Sequence, residues 1–244
     1  MSVPKGGLVL QALPDGQVSG RMTLHVSYDV YPQWLLISLN HARDCEKAAS
    51  KVDAIWTDGE HPAETEALEA ELRAGMQACV AAAAALDGFY GTVQHLAPPS
   101  LAMVATWKEK RTARFAQMAE MFRLATKVGP KSFAGMRAQI KTLLMFRDEA
   151  VHPTGASREP ILHPRLPVAV ERRLAMYSSE NAINAATSAL SIIGALLTLP
   201  KDKHPKLCEH LQIARDWVDP IATAWEDERR LQPLYPREKR GQYP

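Results

Sequence analysis

The chain has 244 residues, with 29 Lys and Arg against 27 Asp and Glu, and its formal net charge is +2. This length suffices for one large domain or two small ones, and the charged and apolar fractions are those of an ordinary globular protein. The charge is too small to indicate nucleic-acid binding over the whole surface, although it is compatible with a local basic site.

Three cysteines, Cys45, Cys79 and Cys208, lie far apart in the sequence, and no two form a Cys-x-x-Cys pair. We therefore expect reduced, buried thiols in a cytoplasmic protein and not a disulfide framework. The N-terminus has no long apolar segment and no small-residue cleavage site, so we expect no secretion signal.

Residues 8–30 form the only segment that predicts β structure. Two short runs, Leu8-Val9-Leu10 and Met22-Thr23-Leu24-His25-Val26, flank Pro14-Asp15-Gly16, whose residue types favour a turn. We assign residues 1–31 to an N-terminal β-hairpin arm.

Residues 32–231 predict an all-α bundle of five to six helices, because apolar residues recur at three- and four-residue steps between Pro and Gly boundaries. The predicted helices span about 32–56, 62–93, 101–127, 132–151, 168–199 and 206–231. Polar residues interrupt the apolar run 182–199, which therefore predicts a core helix and no association with a membrane. The Pro-, Tyr- and basic-rich residues 232–244 predict a disordered tail.

Two segments supply basic side chains that could contact RNA phosphates. The third predicted helix carries a cluster that includes Arg111 and Arg114, and a predicted loop, 152–167, carries Arg158, His163 and Arg165. A solvated helix face and a simple connector are the alternative interpretations of these segments.

The most informative stretch is 145–153, which closes the helix that starts near Ser132. The apolar positions of this helix include Met136, Ile140 and Leu144, and their spacing continues onto Arg147. A charged side chain thus falls where the pattern favours an apolar one. Pro153 disfavours helical geometry at the residue before it, so the helix should end at or just before His152.

An arginine, a polar residue directly after it and a histidine that closes a helix resemble the R-x4-6-H signature of the HEPN superfamily. Here the residues are Arg147, Asp148 and His152, and the resemblance extends over roughly residues 32–228. The resemblance implies a small helical bundle, often a homodimer, and for many members a metal-independent RNase in toxin–antitoxin or defence systems. It therefore implies an RNA substrate, an antitoxin or other protein partner, and no cofactor.

The chemistry of these three side chains fits RNA cleavage. The ribose 2′-hydroxyl is the nucleophile. Histidine as a residue type titrates near neutral pH, so His152 can exchange a proton with this hydroxyl or with the leaving oxygen. Arg147 presents a permanently charged fork to phosphate oxygens, and Asp148 can orient either partner. One histidine does not readily serve both proton transfers, which favours two copies that meet across a dimer.

Two alternatives remain open from the sequence. In the first, Arg147 is structural, paired with Glu180 or Asp148, while His152 caps the carbonyls of its helix. The protein would then be a non-catalytic dimeric scaffold that binds a protein partner or a nucleotide. A zinc site at His204, Cys208 and His210 is disfavoured because a fourth ligand is missing.

Overall fold

The computed structural model describes residues 8–12, 14, 17–22, 28–57, 61–152, 159–198 and 203–237. The chain divides into two compact units, residues 1–30 and 31–244. In the first unit, strands β1 (Leu8–Ala12) and β2 (Val18–Met22) pair antiparallel, with Leu8 opposite Met22 and Ala12 opposite Val18. A hairpin in this segment is thus confirmed, but its second strand ends where the run predicted for it, 22–26, begins, and residues 23–26 of that run lie outside the described residues.

The second unit is helical, which confirms the predicted all-α class. Its elements are α1 (Tyr31–Ile55), α2 (Pro62–Leu96), α3 (Leu101–Glu109), α4 (Arg114–Ala125), α5 (Pro130–Val151), β3 (Ile161–Leu162), β4 (Ala169–Val170), α6 (Arg172–Met176), α7 (Ser179–Leu197) and α8 (Pro205–Arg229). The described residues therefore form eight helices where we expected five to six. None of these helices is long and apolar enough to cross a membrane.

Helices α1 and α2 form the antiparallel pair at the centre of the unit. The Ser38 hydroxyl donates to the Ala78 carbonyl at 2.9 Å, and the Cys45 thiol donates to the Glu71 carbonyl at 3.3 Å. The α2 side of this interface is rich in fully buried alanines, which allow the helix axes to approach closely. Gly75 extends this small surface, since a Cβ there would lie 1.9 Å from the carbonyl oxygen of Tyr177.

The single helix predicted for 101–127 is in fact two helices, α3 and α4. Arg111 adopts a left-handed conformation, with φ of 48°, and α4 begins at Arg114. In a continuous helix, Lys110 and Arg114 would be neighbours on the same face, one turn apart, and like charges at this spacing repel each other. The break instead lets Arg114 pair with Asp87 on α2 at 2.7 Å.

The helix predicted for 168–199 was also too long. Residues 161–162 and 169–170 form the second antiparallel hairpin, β3–β4, where we expected a structureless loop and then helix. Only α7 forms the expected core helix, and it starts at Ser179, whose N–H donates to the buried Glu71 carboxylate at 2.9 Å. A partner distant in sequence thus determines where α7 begins.

The C-terminal segment 232–237 is packed, contrary to the predicted disorder of the tail. Tyr235 is 3% exposed, its ring lies against Gly194 of α7, and its hydroxyl donates to Asp219 at 2.8 Å. The Leu234 N–H and the Arg237 guanidinium both donate to Glu226. The rest of the predicted tail, 238–244, lies outside the described residues.

Candidate functional site

The C-terminal turn of α5 is anchored to the bundle from one side. Ile140, Leu143 and Leu144 of α5 are buried in the core. One turn further on, the Phe146 carbonyl accepts a hydrogen bond of 2.8 Å from the hydroxyl of Tyr177, whose ring lies 6.2 Å from that of Phe146. Burial raises the pKa of the Tyr177 hydroxyl well above its ordinary range, so this donor stays protonated.

Arg147, Asp148 and His152 lie on the exposed side of this anchored turn. The Nε and Nη2 atoms of Arg147 donate to Oδ1 of Asp148 at 3.0 and 2.6 Å. The backbone N–H of His152 donates to the Asp148 carbonyl at 2.8 Å and closes the helix. The helix ends at Val151, directly before His152, as Pro153 predicted.

The exposure of Arg147 and Asp148 decides whether their ion pair holds the fold together or stays accessible to a ligand. The Arg147 and Asp148 side chains are 31% and 56% exposed, and His152 is exposed. Within the described part of the chain, Arg147 pairs with Asp148 and not with Glu180. An exposed pair of this kind contributes about 0–1 kcal/mol to stability. The fold therefore depends little on Arg147.

Three residues of the predicted 152–167 loop, Arg158, His163 and Arg165, were predicted to contact RNA. Arg158 lies outside the described residues. His163 is 2% exposed, and its Nδ1 accepts hydrogen bonds from the Arg165 and Leu166 backbone N–H groups at 3.3 and 3.2 Å. An interior histidine of this kind is not placed to meet RNA, and we correct its assignment.

Arg165 takes part in a partly buried ionic network and not in an open basic loop. Its Nη2 donates to Oε2 of Glu71 at 2.6 Å, and its Nη1 donates to Asp53 at 2.6 Å and to the Ala49 carbonyl at 3.1 Å. Glu71 is 1% exposed, so Arg165 compensates a carboxylate inside the protein. Its predicted role in RNA binding is replaced by a structural one that joins α1, α2 and the segment before β4.

The buried position of His163 predicts a loss of stability in acid. Burial, aided by the Arg165 charge, lowers the pKa of His163 below its ordinary 6.5, although Asp53 opposes the shift. Because the unfolded chain then binds the proton more tightly, stability present at pH 7.5 is lost as the pH falls below about 6.5. Urea midpoints measured from pH 7.5 to 5.0 should fall, and the fall should be shallower in His163→Asn.

His95 is exposed on α2, so His95→Asn serves as the matched control. Its urea midpoints should keep the wild-type pH dependence. An equal slope for His163→Asn and the wild type would show that His163 does not carry the effect.

The other two predicted RNA-binding residues lie at the turn between α3 and α4. Arg111 is exposed, and Arg114 is 43% exposed while it pairs with Asp87 and stacks over the Tyr90 ring at 4.2 Å. The structure adds two cations that the sequence did not single out. Arg137 and Lys141 of α5 flank the Phe115 ring of α4, at 5.5 and 5.8 Å from its centroid. Only helix packing reveals that α4 and α5 share this basic surface.

Fold and site together define an all-α helical-bundle protein that displays an Arg–Asp pair and a histidine at an exposed helix end. Comparison with models of known protein families finds no match, and no curated protein or solved structure is significantly similar to the chain. The resemblance to the HEPN superfamily therefore rests on Arg147, Asp148 and His152, and it stays a prediction.

Proposed function

We propose that this chain is a metal-independent endoribonuclease of the HEPN type, with Arg147, Asp148 and His152 as its catalytic residues. The observation that carries the proposal is the joint exposure of Arg147 and His152 on a turn whose opposite side is anchored by Tyr177. A charged fork and a titratable group held on a rigid element and open to solvent suit phosphate chemistry.

Arg147 retains donor capacity for a phosphate. Its Nε and Nη2 atoms are committed to Asp148, and among the described residues its Nη1 makes no hydrogen bond. Asp148 thereby fixes the plane of the guanidinium while one edge remains open. In this reading the guanidinium stabilises the charge that develops on the phosphorane oxygens during cleavage.

His152 carries the proton transfer. The ribose 2′-oxygen attacks the adjacent phosphorus, its proton passes to an imidazole, and the 5′-oxygen leaves with a proton from a second group, which gives a 2′,3′-cyclic phosphate. A second copy of the chain supplies that second imidazole in our proposal. Exposed Met145 and Val151, 50% and 53% accessible, flank Asp148 and provide apolar surface for a homodimer contact. Light scattering should then give twice the 27.0 kDa chain mass.

The basic surface on α4 and α5 supports an RNA path to this site. Lys141 lies on α5 and His152 directly follows it, so the eleven-residue step from one to the other corresponds to about 16 Å along the axis. This is a few nucleotides of an extended strand. Phosphates bound near Arg111, Arg137 and Lys141 would therefore lead towards Arg147.

The nuclease proposal is tested with RNA oligonucleotides that differ only in the sugar at the cut position. Cleavage of an RNA oligonucleotide by the full chain should persist in EDTA, and a single deoxyribose at the cut position should block that cut while neighbouring cuts remain. Product ends should carry the cyclic phosphate. Cleavage at the deoxyribose position, or products that lack the cyclic phosphate, would contradict attack by the 2′-hydroxyl.

A non-catalytic dimeric scaffold that binds a protein partner, such as an antitoxin, or a nucleotide is the second candidate. The observation that favours it is an exposed apolar pair on α8, Ile213 and Trp217, which are 56% and 62% accessible. Overexpression in a bacterial host separates the candidates, because toxicity that His152→Ala relieves supports the nuclease.

A further inference from the structure

A cavity of about 180 Å³ lies between the C-terminal half of α2, helix α3 and the start of α4, away from the C-terminal turn of α5. Helix α2 contributes Tyr90 and Gln94 to its wall, and α4 contributes Arg114 and Gln117. Its third side is formed by Val104, Trp107 and Lys108 of α3. The wall thus combines two aromatic rings, two amides and two cations, and it includes no carboxylate.

Tyr90 gives the cavity a polar group without a partner. Its side chain belongs to a residue that is 1% exposed, and its hydroxyl makes no hydrogen bond among the described residues. Buried hydroxyls are almost always hydrogen-bonded, and an unpaired one calls for an explanation. Because the hydroxyl oxygen has less than 1 Å² of accessible area, an acceptor on a bound ligand supplies the missing bond only when a covering side chain moves aside.

The two cations differ in how they are held. Arg114 is fixed, because its Nε and Nη2 donate to Asp87 and its guanidinium stacks on the Tyr90 ring. Lys108 is exposed and makes no ion pair within the described residues. Since Asp87 compensates only one of the two charges, the cavity retains a net positive charge. An anion is therefore favoured over a neutral or cationic ligand.

Helix α3 is a weakly anchored wall of this cavity, because none of its nine residues is buried. Its N-cap is satisfied by the Ser100 hydroxyl, which accepts from the Met103 N–H at 3.2 Å, but Met103 and Trp107 pack against the core while only partly buried. A ring inserted beside Val104 and Trp107 would bury them further. Ligand binding should consequently stabilise α3 more than any other helix.

We propose that this cavity binds a small planar organic anion, a single aromatic ring that carries one carboxylate or one phosphate. The ring lies beside Trp107 and Val104, and the anionic group meets Lys108, Arg114 and the Tyr90 hydroxyl. Size supports this class, since 180 Å³ corresponds to about six water volumes, enough for one ring with its anionic group. The site is independent of the proposed nuclease chemistry.

The test uses the full chain with benzoate and phenyl phosphate as probes and benzamide as the neutral control, followed by calorimetry. A ligand of this size should bind with a dissociation constant on the order of 1 mM. Lys108→Gln should weaken both anions about tenfold or more, while Lys110→Gln, on the same turn but outside the cavity wall, should change them less than about twofold. Tyr90→Phe should weaken them about fivefold. Amides of α3 should exchange more slowly when benzoate is bound.

Three results would overturn the proposal. The first is the absence of saturable binding of either anion at concentrations about tenfold above the expected dissociation constant. The second is equal binding of benzamide. The third is an equal effect of Lys108→Gln and Lys110→Gln. If phenyl phosphate alone binds, the natural ligand is a phosphate ester, whereas equal binding of both anions assigns a carboxylate or phosphate without preference. His152→Ala should leave all of these values unchanged, which separates this site from the nuclease.

Discussion

His152→Ala is expected to lower the rate of RNA cleavage by a factor on the order of 10² or more, because it removes the proposed proton-transfer group. Arg147→Ala is expected to lower the rate by roughly 10²–10³ through the loss of charge stabilisation on the phosphorane. Both rates are measured under single-turnover conditions with a ribonucleotide substrate and, for comparison, with its singly deoxy-substituted analogue.

Neither change should perturb the fold. The Arg147–Asp148 pair is partly solvated, and His152 touches the bundle through its backbone N–H, which alanine keeps. The free energy of unfolding, measured by urea denaturation, should therefore stay within about 1 kcal/mol of the wild-type value. The matched controls are Arg73→Ala and His95→Ala, both exposed on α2. If the controls reduce cleavage as much as the site variants do, or if all variants cleave at the wild-type rate, the assigned roles are wrong.

Arg165→Met is expected to destabilise the protein by about 3–5 kcal/mol, because it strands the buried Glu71 carboxylate. Glu71 is 1% exposed and accepts from both Arg165 and the Ser179 N–H. Burial raises the pKa of Glu71 above its ordinary value even with these donors present, which shows how strongly the site disfavours an uncompensated charge. Equilibrium urea denaturation at pH 7 measures the loss.

A second variant separates the lost charge from the lost packing. Glu71→Gln combined with Arg165→Met removes both charges and keeps an amide oxygen that can accept from Ser179, so it should recover more than half of the lost stability. Lys47→Met, which breaks an exposed pair with Asp44, should cost less than about 1 kcal/mol. An Arg165→Met protein as stable as the Lys47→Met control would show that Glu71 does not depend on this partner.

Sequence reasoning predicted those elements that depend on local signals. Helices α1, α2, α5 and α8 carry long apolar periodicities between Pro and Gly boundaries, and their bounds agree with prediction to within a few residues. The end of α5 was predicted because Pro153 restricts the residue before it. The placement of Arg147, Asp148 and His152 near that end follows directly, since Arg147 and Asp148 lie in the last turns of α5 and His152 directly follows it.

Only the tertiary structure decided which charged residues are buried and where short elements begin. In sequence, Arg165 in the predicted loop and Arg111 in the third predicted helix are both candidates for RNA binding, yet Arg165 meets Glu71 across 94 positions while Arg111 stays in solvent. The start of α7 depends on that same Glu71, and the order of Tyr235 depends on the space that Gly194 leaves. The physical reason is common to these cases. Burial and pairing depend on side chains far away in the chain, and local periodicity carries no information about them.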